Sequence, residues 1–232
     1  MKKHFNYLIL FVFLFSQTTG HTALAQDPHE VQKLKNMIAI LKIHPSYNLN
    51  KTNRKEYERQ KKPIDEKLRK YFDFDSITEH ALHERYQKGK SDSEKKKFKK
   101  TLQELIEAIA YAQVQKSLKN PNFNIQYSDQ IEKEGCITKA TATTLIKAET
   151  KDEDDMSYKI VFYFKNGLIY DLISYDEDNE PYFQFGDSLR GDITDFIEKK
   201  KVEKVNNPYE AVIERFNQTL TKVREGRYIF AD

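Results

Sequence analysis

The first half of the chain carries apolar residues at helical spacing. One stripe of such positions, three or four residues apart, is Val31, Leu34, Ile38 and Leu41. It predicts a helix that begins near Pro28 and ends at His44-Pro45, because proline suits the first turn of a helix and disfavours helical backbone in the residue before it. Residues 51–70 are strongly basic with sparse apolar positions, a pattern typical of a helix face in solvent.

Two further helices are predicted before residue 120. Residues 74–87 hold an apolar arc, and the opposite face carries His80 and His83. Ser91 and Glu94 have the spacing of a capping box, which predicts that a long helix begins there. The apolar stripe of this helix is formed by Phe98, Leu102, Leu105, Ile109 and Ala112. We interpret the lysines at positions 95, 96, 97, 99 and 100 as its solvated rim.

Between residues 122 and 176 the apolar period changes from 3.6 to 2, which predicts an antiparallel meander of about four strands. Asn166-Gly167 lies between two alternating segments and is the strongest short signal for a two-residue hairpin loop. The acidic residues 152–155 form the predicted turn before this hairpin. Asp171 then shares a sheet face with apolar side chains and needs a partner. The predicted pairs across the hairpin are Phe164 with Ile169, Phe162 with Asp171, and Ile160 with Ile173.

Helical spacing returns over residues 187–200 and again after Asn207-Pro208, where asparagine is the predicted N-cap and proline the first helical residue. Helices, then a meander, then helices is the order of an α+β domain. We therefore predict that residues 26–232 form a single α+β domain with a helical N-terminal half and C-terminal helices.

The N-terminus has the features of a secretory signal. Lys2 and Lys3 provide positive charge, residues 8–15 are apolar throughout, and Ala23-Leu24-Ala25 offers small residues before a cleavage site. The apolar run is about half the roughly twenty residues that a membrane span needs, which makes an N-terminal anchor the weaker alternative. We expect residues 1–25 to be removed after Ala25 and the mature chain to be free in the periplasm.

Charge and candidate chemistry exclude several classes of function. Loss of residues 1–25 lowers the formal net charge from +3 to +1, which does not fit a nucleic-acid-binding protein. Cys136 is the only cysteine, and its neighbours predict inert packing rather than a reactive thiol. His80 and His83 match none of the usual metal-binding spacings, so no metal site is predicted there. His29 and His44 are isolated in the sequence.

Several segments together resemble the MlaC family of periplasmic phospholipid carriers, also called toluene-tolerance or ABC-transporter auxiliary proteins. The resemblance begins at residues 71–77, Tyr-Phe-Asp-Phe-Asp-Ser-Ile, and continues through Ala81-Leu82, Tyr86, the capping turn at 91–95 and Phe98. It extends to the pattern Gly-x-x-Tyr-Asp at residues 167–171 and to a helix that carries Arg190.

The resemblance implies a non-enzymatic lipid carrier without cofactor or metal, built on an NTF2-like or cystatin-like cone. The implied partners are phospholipid as cargo, an inner-membrane ABC transporter complex with a substrate-binding MCE protein, and an outer-membrane lipoprotein complex, which together serve outer-membrane lipid asymmetry. Two apolar stripes are expected to face one interior and to line the lipid cavity, with Phe98, Leu102, Leu105 and Ile109 on the long helix and Ile160, Phe162 and Phe164 on the sheet. Ile77, Leu82 and Tyr86, on the apolar arc of the short helix, complete the predicted lipid-binding residues.

A lipid that crosses water needs an apolar enclosure. Two acyl chains with about thirty methylenes cost on the order of 20 kcal/mol to expose, at about 0.8 kcal/mol per methylene. Two alternatives stay open on the sequence: an NTF2-like envelope enzyme with Asp171 as a buried base, and an envelope interaction module with a solid core.

Overall fold

The computed structural model describes residues 28–45, 54–146, 156–176, 178–199 and 207–225. The predicted signal at 1–25 and the predicted acidic turn at 152–155 lie outside these residues. In chain order the elements are α1 (His29–Lys42), α2 (Arg54–Leu68), α3 (Phe74–Ala81), α4 (Glu84–Gln87), α5 (Asp92–Leu118), β1 (Phe123–Glu134), β2 (Ile137–Ile146), β3 (Met156–Lys165), β4 (Leu168–Tyr175), β5 (Pro181–Gln184), α6 (Phe185–Lys199) and α7 (Pro208–Arg224).

The described residues divide into two compact units. The sheet unit consists of residues 28–73 and 112–184, and the helical unit consists of residues 74–111 and 185–225. The chain passes from the helical unit into the sheet unit within α5. In the ranges described above, none of the helices has the length and apolarity that crossing a bilayer requires. That residues 26–232 act as a single domain stays a prediction.

The strands form one open antiparallel sheet in the order β1-β2-β3-β4-β5, so the predicted α+β class and meander are confirmed. The sheet has five strands rather than about four. The missed strand, β5, is only four residues long and begins with Pro181, a residue that weakens any strand signal and is tolerated at a sheet edge. Phe72 forms a parallel bridge with Ile169, in the part of β4 that β5 does not pair with.

The β3–β4 hairpin turns at Asn166 and Gly167, as predicted. Both residues have positive φ, 51° and 75°, which is the geometry of a type I′ loop. Phe164 pairs with Ile169 as predicted, but the pairing register of β3 with β4 shifts between Phe164 and Tyr163. The other two predicted pairs, Phe162 with Asp171 and Ile160 with Ile173, are wrong.

One extra residue on β4 shifts the rest of this hairpin by one position. Beyond the bulge, Phe162 pairs with Leu172, Ile160 pairs with Ser174, and Asp171 pairs with Tyr163. A bulge sets two residues of one strand against one residue of the other, so it moves every later side chain to the opposite face. Asp171 therefore leaves the apolar face on which strict alternation had placed it.

In the sheet unit, α1 packs against α2, β1 and β2. Pro28 is its N-cap residue, and the four predicted stripe residues are buried, which confirms the helix. Residues 54–68 of the predicted basic helix form α2, with Tyr57 and Leu68 buried. Residues 51–53 lie outside the described part of the chain.

In the helical unit, the single helix predicted over residues 74–87 is wrong. The chain forms α3 and α4, separated at Leu82 and His83. His83 adopts extended backbone, with φ −57° and ψ 138°, and its Nδ1 accepts a hydrogen bond from the Arg85 N–H at 3.4 Å. A residue that caps the second helix cannot also continue the first, so the two histidines do not share one helix.

The capping box of α5 is confirmed. The Glu94 N–H donates to Ser91 Oγ at 3.3 Å, and the Ser91 N–H donates to Glu94 Oε2 at 2.9 Å. The hydrogen bonds from Ser91, first from its backbone N–H and then from its hydroxyl, lower the pKa of Glu94 to about 2. These hydrogen bonds stabilise the N-terminus of α5, a helix of 27 residues.

Candidate functional site

Seven of the ten predicted lipid-binding residues belong to the helical unit. Ile77 lies on α3, Leu82 in the break before α4, and Tyr86 on α4. The other four, all on α5, are Phe98, Leu102, Leu105 and Ile109. All seven side chains are at most 7% exposed, so the predicted stripe on α5 is buried from Phe98 to Ile109, whereas its last residue, Ala112, is only partly buried.

The start of this stripe packs against α7. The Phe98 ring lies 5.0 Å from the Tyr209 ring and 5.9 Å from the Phe216 ring, measured between centroids. Aromatic contacts of this kind stabilise a core beyond the area that they bury. Phe98 therefore has a packing role of its own, and its contact with lipid stays a prediction.

The remaining three predicted residues, Ile160, Phe162 and Phe164, belong to the sheet unit. They alternate along β3 and so point to one face of the sheet, where all three are buried. Their β4 partners on that face are Ser174, Leu172 and Ile169, and their β2 partners are Ala142, Ala140 and Thr138. We call this side of the sheet the apolar face.

Sequence reasoning missed the stripe of small residues on β2. Ala140 and Ala142 are fully buried on the apolar face between the larger side chains of β1 and β3. Small side chains let another backbone approach a sheet closely, and α1 packs against β1 and β2. The signal was present as the alternation Thr138-x-Ala140-x-Ala142-x-Thr144, but the β-branched character of the segment was the feature that was noted.

Tyr127 extends the apolar face to β1, where it is paired with Ala142. Burial raises the pKa of its phenol. The Lys35 ammonium of α1 lies 5.4 Å from the centre of the ring, a cation–π distance. Lys33 on the same helix donates a hydrogen bond to the Gly167 carbonyl at 2.6 Å. Two lysines of α1 thus connect this helix to β1 and to the hairpin turn.

The other face of β3 is mixed, because it holds the buried Val161 beside polar and aromatic side chains. Tyr163 is half-buried there, and burial followed by a hydrogen bond with Tyr175 raises its pKa. The Lys139 ammonium lies 5.8 Å from the centre of the Tyr163 ring and 3.1 Å from a Glu134 carboxylate oxygen. The two faces therefore differ in polarity, and contact of the apolar face with acyl chains stays a prediction.

Asp171 has the partner that a buried carboxylate requires. Its Oδ2 accepts a hydrogen bond from Gln184 Nε2 at 2.8 Å, and its Oδ1 accepts one from the Leu172 N–H at 2.8 Å. Gln184 lies on β5, the strand that the sequence did not reveal. The carboxylate thus binds the edge strand to β4, a structural role.

Three of the described histidines, His80, His83 and His44, occupy different settings. His80 Nε2 lies 3.2 Å from Asp187 Oδ1 on α6, at the surface of the helical unit. His83 caps α4, as described above. The description of His44 as isolated is wrong, because its Nε2 lies 3.1 Å from Asp65 Oδ1 and both side chains are buried. Within the described residues, no group of three or more His, Cys, Asp or Glu side chains is placed to hold a metal ion.

Cys136 is exposed, so the prediction that it packs inside the protein is wrong. It follows Gly135 in the two-residue turn between β1 and β2. Gly135 has φ +61°, and a turn of this tightness directs its side chains to solvent rather than to the sheet.

Comparison with known proteins connects this arrangement to a family. No curated protein matches the sequence. Among solved structures, a phospholipid-binding protein from Ralstonia solanacearum, determined in complex with a phospholipid, is similar to this chain with 11% identity and a TM-score of 0.50. That similarity covers 85% of this chain and 99% of the Ralstonia chain, and at this identity it shows the fold alone.

The family model described as MlaC protein matches residues 39–176, which is more than half of the chain. The matched range runs from α1 through β4 and contains the segments at 71–77 and 167–171 on which the resemblance rested. MlaC proteins are in general periplasmic. The resemblance is confirmed, and this chain belongs to the MlaC family.

Proposed function

We propose that this protein binds a phospholipid in the periplasm and carries it between the two membranes of the envelope. The observation that carries the proposal is the family match over residues 39–176, which includes both the start of the α5 stripe and the apolar face of β3. The similar Ralstonia protein was determined with a phospholipid bound, which supports the same class of cargo.

The apolar residues of the two units supply what such a cargo needs. We propose that the ten residues predicted from the sequence contact acyl chains, seven of them in the helical unit and three on the apolar face of the sheet unit. Binding of this kind requires burial of methylenes rather than chemistry, at about 0.8 kcal/mol for each methylene removed from water. The protein is thus a binding or transport protein rather than an enzyme, and its cargo takes the place of a cofactor.

We further propose that the carrier exchanges lipid with an inner-membrane ABC transporter complex that contains an MCE protein, and with an outer-membrane lipoprotein complex. This step follows from family membership. The signal at residues 1–25, with cleavage after Ala25, would deliver the chain to the compartment in which both partners are accessible.

The bonds of Asp171 weigh against the enzymatic alternative. A general base must reach the proton of a substrate, whereas both oxygens of this carboxylate already accept hydrogen bonds from Gln184 and Leu172 within its own sheet. Asp171→Asn keeps the size of the side chain and should lower stability without a loss of bound lipid.

Extraction of the purified protein with organic solvent, followed by mass spectrometry, tests the proposal directly. We expect phospholipid in near-stoichiometric amount. Extracts without lipid, together with failure to take up lipid from vesicles, would instead support the solid-core interaction module. Intact-mass measurement of the periplasmic protein tests the cleavage site in the same material.

A further inference from the structure

The first turns of α5 carry an unusual concentration of positive charge. Five of the six residues at positions 95–100 are lysines, and four of these five side chains are exposed. Lys99 forms an ion pair with Asp75 at 2.5 Å, and Lys100 lies 4.0 Å from Glu104. Within the described residues, Lys95, Lys96 and Lys97 form no ion pair at all. The lysine ridge is the name we use for these five residues.

The two acidic residues of the first turn of α5, Asp92 and Glu94, form no ion pair with the lysine ridge. The Glu94 carboxylate accepts hydrogen bonds from Ser91 and from Asn207 Nδ2, and its nearest ammonium is that of Lys90, at 3.9 Å. Asp92 lies three and four residues before Lys95 and Lys96, yet its carboxylate is not within ion-pair distance of either lysine. The charges of Lys95, Lys96 and Lys97 are therefore not paired within α5, whereas Lys100 has Glu104 nearby.

The ridge opposes the local stability of the helix. Cations close to the N-terminus interact unfavourably with the helix dipole, and like charges four residues apart, such as Lys95 with Lys99 and Lys96 with Lys100, repel. Features that break local rules without an internal compensation are expected at functional sites. We therefore expect the ridge to bind an external anionic partner.

The composition of the ridge selects the kind of partner. Protein interfaces are enriched in Arg and aromatic residues and depleted in Lys, but residues 88–100 contain no Arg, and their one aromatic residue, Phe98, is fully buried. At 100° per residue the five lysines span an arc of about 200° around the helix, which suits an extended charged surface better than a shaped pocket. Clusters of four to eight Lys or Arg on a helix are typical of contact with anionic lipid bilayers.

We propose that the lysine ridge docks this protein directly on the surface of an anionic phospholipid bilayer. The inference rests on the proposed function, because a carrier that is held at a bilayer gains access to its cargo there. Lysines close to an anionic surface each strengthen binding about fivefold, so Lys95, Lys96 and Lys97 together contribute on the order of a hundredfold.

Co-sedimentation of the full protein with vesicles tests the proposal. The probes are phosphatidylcholine vesicles with and without phosphatidylglycerol. The variant is Lys95→Gln, Lys96→Gln and Lys97→Gln combined. Its control is Lys62→Gln, Lys67→Gln and Lys70→Gln combined, which removes the same charge from exposed lysines of the sheet unit. Circular dichroism verifies the fold of both.

We expect the parent protein to bind only vesicles that contain phosphatidylglycerol. The affinity for these vesicles should fall roughly a hundredfold in the ridge variant and change little in the control. About 1 M NaCl, where the Debye length is about 3 Å, should release the bound protein. Equal losses in the two variants, or no binding by the parent protein, would overturn the proposal; the second result would direct attention to an acidic protein partner. Lipid extracted from the ridge variant tests the docking proposal and the proposed function separately. If the variant no longer binds vesicles but still carries lipid, only docking depends on the ridge. If it binds vesicles but carries no lipid, only cargo binding is affected.

Discussion

The Nε2 atom of His44 lies 3.1 Å from Oδ1 of Asp65, and both side chains are buried. The other Asp65 oxygen contacts the ammonium of Lys61, and Gln115 Nε2 donates a hydrogen bond to the His44 carbonyl at 2.6 Å. This network joins the end of α1, the last turns of α2 and the end of α5 within the sheet unit. We call it the His44 network.

Asp65→Asn should destabilise the protein by about 3 kcal/mol, because removal of one member of a buried ionic network leaves its partners buried without full compensation. Urea unfolding measures the change. The control is Asp75→Asn, whose exposed pair with Lys99 should be worth less than about 1 kcal/mol. Similar small losses in both variants would show that the His44 network does not contribute to stability.

Gly167→Ala should destabilise the β3–β4 hairpin by about 1–2 kcal/mol. The residue has φ +75°, and an added Cβ would lie 2.8 Å from the Lys33 ammonium. The helical control, Gly191→Ala, meets no heavy atom within 4 Å and should instead stabilise the protein by about 0.5–1 kcal/mol. Opposite signs in thermal unfolding support this account, whereas a stabilising Gly167→Ala would contradict the described turn.

Asp192 should make stability depend on pH between about 4 and 6. Burial, with a smaller contribution from Asp195, raises the pKa of its carboxyl from 3.8 to about 6. Between these values the folded state binds more protons than the unfolded state, so the free energy of unfolding falls as pH rises through this window. Below pH 3.8 both states are protonated, and well above pH 6 the loss is complete.

The Asp192→Asn variant removes this titration and should show a smaller fall in the free energy of unfolding between pH 4 and pH 7, as measured by urea unfolding at both pH values. Asp178→Asn, a change at an exposed carboxylate, is the control and should follow the parent protein. If Asp192→Asn also follows the parent, the raised pKa is refuted.

Leu105→Trp should distinguish a lipid-binding stripe from a solid core. If Leu105 contacts cargo, the larger tryptophan ring should occupy space that the lipid filled in the parent protein. Bound lipid should then decrease while the protein stays folded. In a filled core the same change should overpack and cost about 1–3 kcal/mol. Thermal unfolding and lipid extraction are measured on the same sample.

Leu220→Trp serves as the control, because Leu220 is equally buried in the helical unit but is not among the predicted lipid-binding residues. It should destabilise the protein with little specific loss of lipid. Collapse of the Leu105→Trp variant, in a protein whose parent carries no lipid, would favour the interaction module with a solid core.

Features that depend on neighbouring residues were predictable from the sequence. The helical stripes of α1 and α5, the capping box of Ser91 and Glu94, and the turn at Asn166 and Gly167 each depend on residues only a few positions apart. Their geometry is dictated by the backbone itself, by the period of 3.6 or 2 and by the ability of glycine and asparagine to adopt positive φ.

Other features were decided by the tertiary structure, because they join residues that are distant in the chain. The bulge beyond Phe164, the pairing of β5 with β4, and the contact between His44 and Asp65 all depend on which partner lies opposite. A single extra residue on β4 was enough to move Asp171 to the other face and to bring its carboxylate within reach of Gln184. The sequence by itself thus determined most of the helices, most of the strands and the family. The register of the sheet and the partners of its buried polar groups were set by long-range packing, which local spacing does not encode.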